Sequence, residues 1–533
     1  MSKKRSLFPA AVSTLLLGGV ILTGCVVATP TTTDSSTDSS TATVASVDDT
    51  GAEAVLADNE DYTTTNPDEW DATPTTTITL TGSSATVDGD GVSFDGDTVT
   101  ITAAGTYAIT GDLDGQVVVA APEDALVAII LDDATITSDE TAALAVTSAD
   151  DVVVSLEGEN SLSDADVSYA DDADINATLY ADADLMITGD GALTVTAAND
   201  GITSTDDLVV LSGDLDVTAA DDGLRGKDAL AIEGGTITVD AGGDALKSDQ
   251  DDDVTRGYVV LKGGELDLSA GDDGIQASTD IVVMGGSATI AAGDDGVKSE
   301  TVVYVADGTI EVTESYEGIE SFAITIAGGD LTVVASDDGV NATGTGVVET
   351  EESTTEQAGG MGGGMMEADG GQTLVVTGGT LEVFGGGDAI DSNGSYEQTG
   401  GTVIVTAGTN GGDGALDVNG AIAVTGGQLF ELSTNGAPFA SPDTGSYVPL
   451  EGSVSAGSVV QVVAADGTVV GEFTATSGIQ SVLFASDVLA DGASYSLVVD
   501  GITVATATEG TVIAQQGPGA GGQGGMPGGG PRP

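Results

Sequence analysis

Acidic residues followed by glycine recur through the middle of this 533-residue sequence. The copies read Asn199-Asp200-Gly201-Ile202, Asp221-Asp222-Gly223-Leu224, Gly243-Asp244-Ala245-Leu246, Asp272-Asp273-Gly274-Ile275 and Asp294-Asp295-Gly296-Val297. They continue as Tyr316-Glu317-Gly318-Ile319, Asp337-Asp338-Gly339-Val340 and Gly387-Asp388-Ala389-Ile390, with Asp413-Gly414 a degenerate last copy. Carboxylates in this number suit two kinds of chemistry, binding of hard cations and carboxylate acid/base work. The sequence has no His and a single Cys, Cys25. That excludes the Ser-His-Asp triad, His-ligated zinc, thiolate metal clusters and disulfides within the chain.

Asp+Glu number 87 against Lys+Arg 10, for a formal net charge of -77. Three of the bases, Lys3, Lys4 and Arg5, lie in the first five residues, so removal of that end leaves -80. Nucleic acid is excluded as a partner, because phosphate binding needs clustered Lys and Arg. Disorder is excluded for the body, since hydrophobic residues make up 40% and mean hydropathy is +0.17. Gly 79 with Pro 12 indicates many tight turns.

The second acids of successive copies are 22, 22, 29, 22, 22, 21, 50 and 25 residues apart. The longer steps hold an acidic loop, Asp249 to Arg256, and a Gly/Met/Glu insertion, 345–371. A Gly-Gly marker or a close variant runs in phase, as at Gly234-Gly235, Gly263-Gly264, Gly285-Gly286, Asp307-Gly308 and Gly328-Gly329. Between markers, apolar residues alternate with period two: Leu230, Ile232, Ile237, Val239 and Leu246 face in, Thr236, Thr238 and Asp240 face out. Short strands in such a repeat cannot form hairpins with one shared face. They predict an all-β fold, a parallel β-helix (solenoid) of about 22 residues per coil, each coil stacking on the next. Extended back to Ile78, the pattern gives roughly 14 coils at about 4.8 Å each. The body then covers 66–440, a β-rich C-terminal cap 441–510, and a Gly/Pro-rich tail 511–533.

Stacking puts Asp200, Asp222, Asp244, Asp273, Asp295, Glu317, Asp338 and Asp388 in one column, with Asp221, Asp272, Asp294 and Asp337 beside it. Unit charges about 4.8 Å apart repel by roughly 0.9 kcal/mol at a dielectric of 80 and roughly 3.5 at 20. Protonation is no remedy at neutral pH for groups that ordinarily titrate near 4. Basic partners are few: Arg225, Lys227, Lys247, Arg256, Lys262 and Lys298. Cations remain, and Ca²⁺ fits best, taking six to eight oxygens without strict octahedral geometry. A plain turn is the competing reading, with Asp bonding its own backbone and Gly at positive φ. Ala245 and Ala389 in the glycine slot show that positive φ is not required there.

The N-terminus reads as an address. A basic Lys3-Lys4-Arg5 precedes a short apolar stretch interrupted by Pro9, too short to span a bilayer. It ends in Leu22-Thr23-Gly24-Cys25, which resembles the lipobox of bacterial lipoproteins. The resemblance implies a signal peptide over 1–25, lipidation of Cys25, and a protein held on the extracellular face of the bacterial membrane by that anchor only. Residues 26–65, rich in Ser, Thr and Asp from Thr29 to Thr50, are then a disordered tether.

The repeats, in stretches such as Thr188-Gly189-Asp190-Gly191-Ala192-Leu193-Thr194-Val195, Asp221-Asp222-Gly223-Leu224-Arg225-Gly226-Lys227-Asp228 and Gly242-Gly243-Asp244-Ala245-Leu246-Lys247-Ser248, resemble the bacterial carbohydrate-binding β-helix proteins. That resemblance spans roughly 75–510. It implies a calcium-binding, right-handed parallel β-helix similar in fold to polysaccharide lyase family 9, a partner such as cellulose or pectic acid, and Ca²⁺ at the Asp turns. The leading expectation is a monomeric, Ca²⁺-dependent polysaccharide-binding protein, bridging acidic glycans through the metal. A neutral glycan would need aromatic platforms, with Tyr258, Tyr304, Phe322, Phe384, Tyr396 and Phe430 the candidates. Two alternatives stand beside it: a uronate lyase using Lys247 or Lys298 as base, and a calcium-stiffened stalk or adhesin.

Overall fold

A computed structural model describes residues 51–65, 70–170, 173–346, 370–408, 414–434 and 439–511, all within one compact unit. The described residues are all-β apart from one short helix, Ala52–Leu56. Each repeat supplies one strand to each of three parallel ladders. In the first ladder, Asp207–Val210 pairs with Ala229–Ile232, and that with Tyr258–Leu261. In the second, Asp214–Ala219 pairs with Thr236–Ala241, and that with Glu265–Ala270. The third runs through Leu224–Gly226, Leu246–Ser248 and Ile275–Ala277. The first two ladders belong to one 28-stranded sheet, joined near its N-terminal end by the long strand Leu126–Thr137, which pairs with both Asp151–Glu157 and Glu159–Ser163. The third ladder is a 14-stranded sheet in which only the first pair, Val92–Asp95 with Thr98–Ile101, is antiparallel.

The alternation fixes what faces the core. Leu230, Ile232, Ile237, Val239 and Leu246 are all at most 1% exposed, while Thr236, Thr238 and Asp240 face solvent. Like side chains stack on like across each ladder, as Ile275 on Val297 and Val297 on Ile319, so apolar area is buried repeat against repeat. The in-phase glycines have two different causes. Gly235 turns the chain at φ 96, a backbone region that favours glycine. Gly223 in the acidic turn has no positive φ. A Cβ there would lie 2.4 Å from Val239 Cγ1 and 2.6 Å from the Ala245 carbonyl oxygen, so that glycine serves close packing between repeats.

Antiparallel strands pair with the ladders at both ends of the stack and so cover part of the exposed ladder edge. At the start, Thr76–Gly82 pairs antiparallel with Ala85–Asp88. At the end, Ile479–Ala485 lies antiparallel against the last ladder strand, Gln428–Ser433, and against Tyr447–Val454. A separate four-stranded antiparallel sheet contributes Phe473, whose ring lies 4.9 Å from that of Phe430, as does that of Phe484.

Residues 51–65, placed by composition in a disordered tether, are instead docked as a strap on the outer face of the first ladder. Ala52 and Val55 are buried against Val282, Val302, Tyr304 and Ala323. Asn59 Nδ2 donates to Asp280 Oδ2 at 2.9 Å, and the Thr63 N–H donates to Asp207 Oδ2 at 2.8 Å. The acidic loop after Ser248 serves the same contact. The Glu60 N–H donates to the Thr255 carbonyl at 2.8 Å, and Glu60 pairs with Arg256 at 2.9 Å. Ser/Thr/Asp composition hid this strap because its few apolar residues meet a surface formed only by stacking. Cys25, the tail from 512, and the insertion over 347–369 lie outside the described residues.

Candidate functional site

The acidic turns sit just before the third-ladder strands, so the ladder register brings successive turns together. In most repeats the carboxylate of the second acid then accepts a backbone N–H from the next turn. Asp222 Oδ1 accepts the Asp244 N–H at 3.0 Å, Asp244 Oδ1 that of Asp273 at 2.9 Å, and Asp273 Oδ1 that of Asp295 at 2.9 Å. Beyond the insertion, Asp338 Oδ1 accepts the Asp388 N–H at 2.8 Å, and Asp388 Oδ1 that of Gly414 at 3.1 Å. Asp200 is held by Asn176 Nδ2 at 2.7 Å and Asn199 Nδ2 at 2.9 Å. Glu317 is longer by one methylene and accepts from Asn341 Nδ2 at 2.7 Å instead. The column expected from the period is therefore present, with a role the spacing did not reveal: these carboxylates satisfy buried backbone N–H groups.

The first acids point outward. Asp221 and Asp272 are exposed, and Asp294 and Asp337 are half-buried. Where both columns carry acids in adjacent repeats they converge: Asp272, Asp273 and Asp294 each offer a carboxylate oxygen within 4.8 Å of the others. Glycine replaces the first acid beside Asp244 and Asp388, so those turns offer fewer oxygens.

Burial dominates the electrostatics. It pushes the Asp273 carboxyl up to about 7 against the opposing pull of Lys298 and the Asp295 N–H. Burial, together with the charge of Asp222, brings Asp200 to about 7. Glu317 rises to about 8 through burial and its contact with Glu320. Asp222, Asp295 and Asp338 are raised as well, first by burial. The expectation that protonation cannot relieve the column at neutral pH is thus corrected for Asp200, Asp273 and Glu317. Reference values near 4 apply to solvated carboxyls, and these are not solvated. The few bases also matter more than their number implied. Lys247 Nζ spans two repeats, 2.7 Å from Asp244 and 3.1 Å from Asp222, and Lys298 Nζ lies 2.7 Å from Asp295. Burial alone would lower both ammonium groups; the neighbouring aspartates outweigh it and hold them charged.

Several features of the site were not read from the sequence. Asp184, Asp206 and Asp207 form a second convergent carboxylate set, at the head of first-ladder strands. No glycine follows Asp206-Asp207, so the recurring motif passed over it. Outward-pointing residues of the third ladder stack as Arg225, Lys247, Gln276, Lys298, Glu320 and Asn341. Gln276 Oε1 and Asn341 Oδ1 in this stack are buried acceptors with no protein partner among the described residues. Of the aromatic candidates, Tyr396 and Phe430 are fully buried, Tyr258 and Tyr304 nearly so, and Phe384 is 38% exposed. Among the described residues the most exposed aromatic is Tyr316, which is not one of those candidates. Tyr316 is 48% exposed and occupies the first-acid position one repeat after Asp294, its N–H donating to the Asp294 carbonyl at 2.6 Å.

A family model for carbohydrate-binding domain-containing proteins matches residues 95–362, just over half of the chain and the part that carries most of the acidic turns. The chain belongs to this carbohydrate-binding family. Among solved structures, a polysaccharide lyase-like protein from C. thermocellum, solved as a gadolinium derivative, is 30% identical to it. The match covers 43% of this chain and 96% of that one, with a TM-score of 0.42. No curated protein matches the sequence. Within this carbohydrate-binding protein, the matched region contains Asp272, Asp273, Asp294 and Tyr316 together.

Proposed function

We propose that the protein is a lipid-anchored, extracellular polysaccharide-binding protein, built as a right-handed parallel β-helix whose aspartate turns hold Ca²⁺. The observation that carries the reading is the carboxylate set of Asp272, Asp273 and Asp294, within 4.8 Å of one another in a member of a carbohydrate-binding family. Ca²⁺ takes oxygens at about 2.3–2.6 Å, so two ligands on opposite sides of one ion stand up to about 5 Å apart, and this set fits. A bound cation supplies positive charge at a surface dominated by carboxylates, and through it an acidic glycan can be held. Tyr316, one repeat further on, offers an apolar ring face on which a sugar can stack.

Binding is favoured over lyase chemistry by the state of the lysines. A proton-abstracting lysine needs its neutral form near working pH, whereas Lys247 and Lys298 are held charged by their aspartates. Removing calcium with a chelator should lower the melting temperature sharply; an unchanged value would contradict the metal reading. Cys25→Ser should move the protein from the membrane fraction to the aqueous phase, and retention in the membrane would contradict the anchor.

A further inference from the structure

The docked strap and the first ladder together line an open cavity of about 280 Å³ that neither forms alone. The strap supplies Glu60, Asp61 and Tyr62; the ladder supplies Glu233, Tyr258 and Lys262. We infer that this cavity is a second carbohydrate site, independent of calcium, which takes one ring of a neutral glycan.

Its volume lies just below the roughly 300–1,000 Å³ of drug-sized small-molecule pockets, and suits a single ring. A pyranose ring presents apolar C–H faces and a rim of hydroxyls, and so calls for aromatic faces bordered by planar polar groups. Tyr62, half-buried, supplies the aromatic wall, with Tyr258, 2% exposed, packed behind it as the floor. The polar groups are held in place by one another. Tyr62 OH donates to Glu233 Oε1 at 2.6 Å, and Lys262 Nζ lies 3.0 Å from the same oxygen and 4.9 Å from the Tyr62 ring centroid. Tyr258 OH donates to the Glu60 carbonyl at 2.5 Å, fixing the second ring against the strap. Against the effect of burial, the bonds from Tyr62 and Lys262 keep the Glu233 carboxyl below its usual range, so it remains an acceptor for sugar hydroxyls. Glu60, Asp61 and Glu233 outnumber Lys262 and the Arg256 that pairs with Glu60, a balance that repels uronates and sulfated sugars and admits neutral ones.

The site rests on the carbohydrate-binding reading but not on its metal, and the test separates the two. The mature full-length chain is titrated with cellohexaose and with hexagalacturonate, in chelator and in calcium, by calorimetry. Emission of Trp70, the single tryptophan, packed with Leu56 and Tyr62 against the strap-covered face, reports whether the strap stays docked. Wild type should bind cellohexaose equally in chelator and calcium, and hexagalacturonate in chelator at least tenfold more weakly. Tyr62→Ala should weaken cellohexaose at least tenfold. Asp61→Ala, on an exposed side chain, should weaken it severalfold with Trp70 emission unchanged. Wild-type affinity in both variants would overturn the site. Binding of glycans only with calcium present would overturn it and leave the main reading standing, and binding of neither under any condition would overturn both.

Discussion

The carboxylate of Asp273 accepts the backbone N–H of Asp295 across 2.9 Å, a bond between residues 22 apart that repeats along the acidic column. One side chain thereby has two roles: it satisfies a buried amide of the next repeat, and it supplies an oxygen to the convergent set with Asp272 and Asp294. Two substitutions separate these roles. Asp273→Ala leaves the Asp295 amide unpaired and should cost about 1–3 kcal/mol with or without calcium. Asp273→Asn keeps an acceptor and removes a buried charge, so in chelator it should be neutral or stabilising. In calcium it should lose most of the metal-dependent gain. Urea denaturation of the three proteins in both conditions checks this, and equal losses for Asn and Ala in chelator would contradict it.

The raised carboxyls set the pH dependence. Asp200 and Asp273 titrate at about 7 in the folded protein, and Glu317 at about 8. Unfolded carboxyls titrate near 4. Between those limits the folded state binds more protons than the unfolded state, so stability falls as pH rises. In chelator the melting temperature should therefore decline from about pH 4 to about pH 8. Calcium should flatten the decline, because it replaces the proton in the same sites. A melting temperature that rises over that range in chelator would contradict the burial of these charges.

Lys247 bridges Asp222 and Asp244, and Asp222 is raised by burial despite that help. Lys247→Met should cost about 2 kcal/mol in chelator, since charged hydrogen bonds contribute about 1.5–3 kcal/mol each and the two carboxylates would face each other unbridged. The loss should shrink in calcium. Thermal melts of the variant in the two conditions are the check.

Much of the scaffold was legible because the period is a local property repeated many times. Leu230, Ile237 and Leu246 had to face inward wherever the strands paired, and the 22-residue step fixed which acids become neighbours. What stayed hidden depends on surfaces that exist only after stacking. Ala229 and Ala231 alternate with the inward Leu230 and Ile232, yet both are 1% exposed because their face is covered too. Tyr62 and Glu60 lay in a segment whose composition is that of a linker. Tyr316 stands where other copies carry an acid, and its place in the first-acid column leaves its ring exposed beside the turn.

That position carries a prediction. Tyr316→Ala removes a half-exposed ring that fills no core space, so calcium-dependent melting should be unchanged. Retention on polysaccharide should fall severalfold, as expected for loss of a stacking face worth about 1 kcal/mol. Retention equal to wild type would remove Tyr316 from the glycan site.

The most direct measurement is co-sedimentation of the mature chain with insoluble polygalacturonate, in calcium and in chelator. Calcium-bridged binding predicts retention with calcium and release when chelator is added to the preformed complex. Failure to sediment in calcium, or retention that chelator leaves intact, would contradict it.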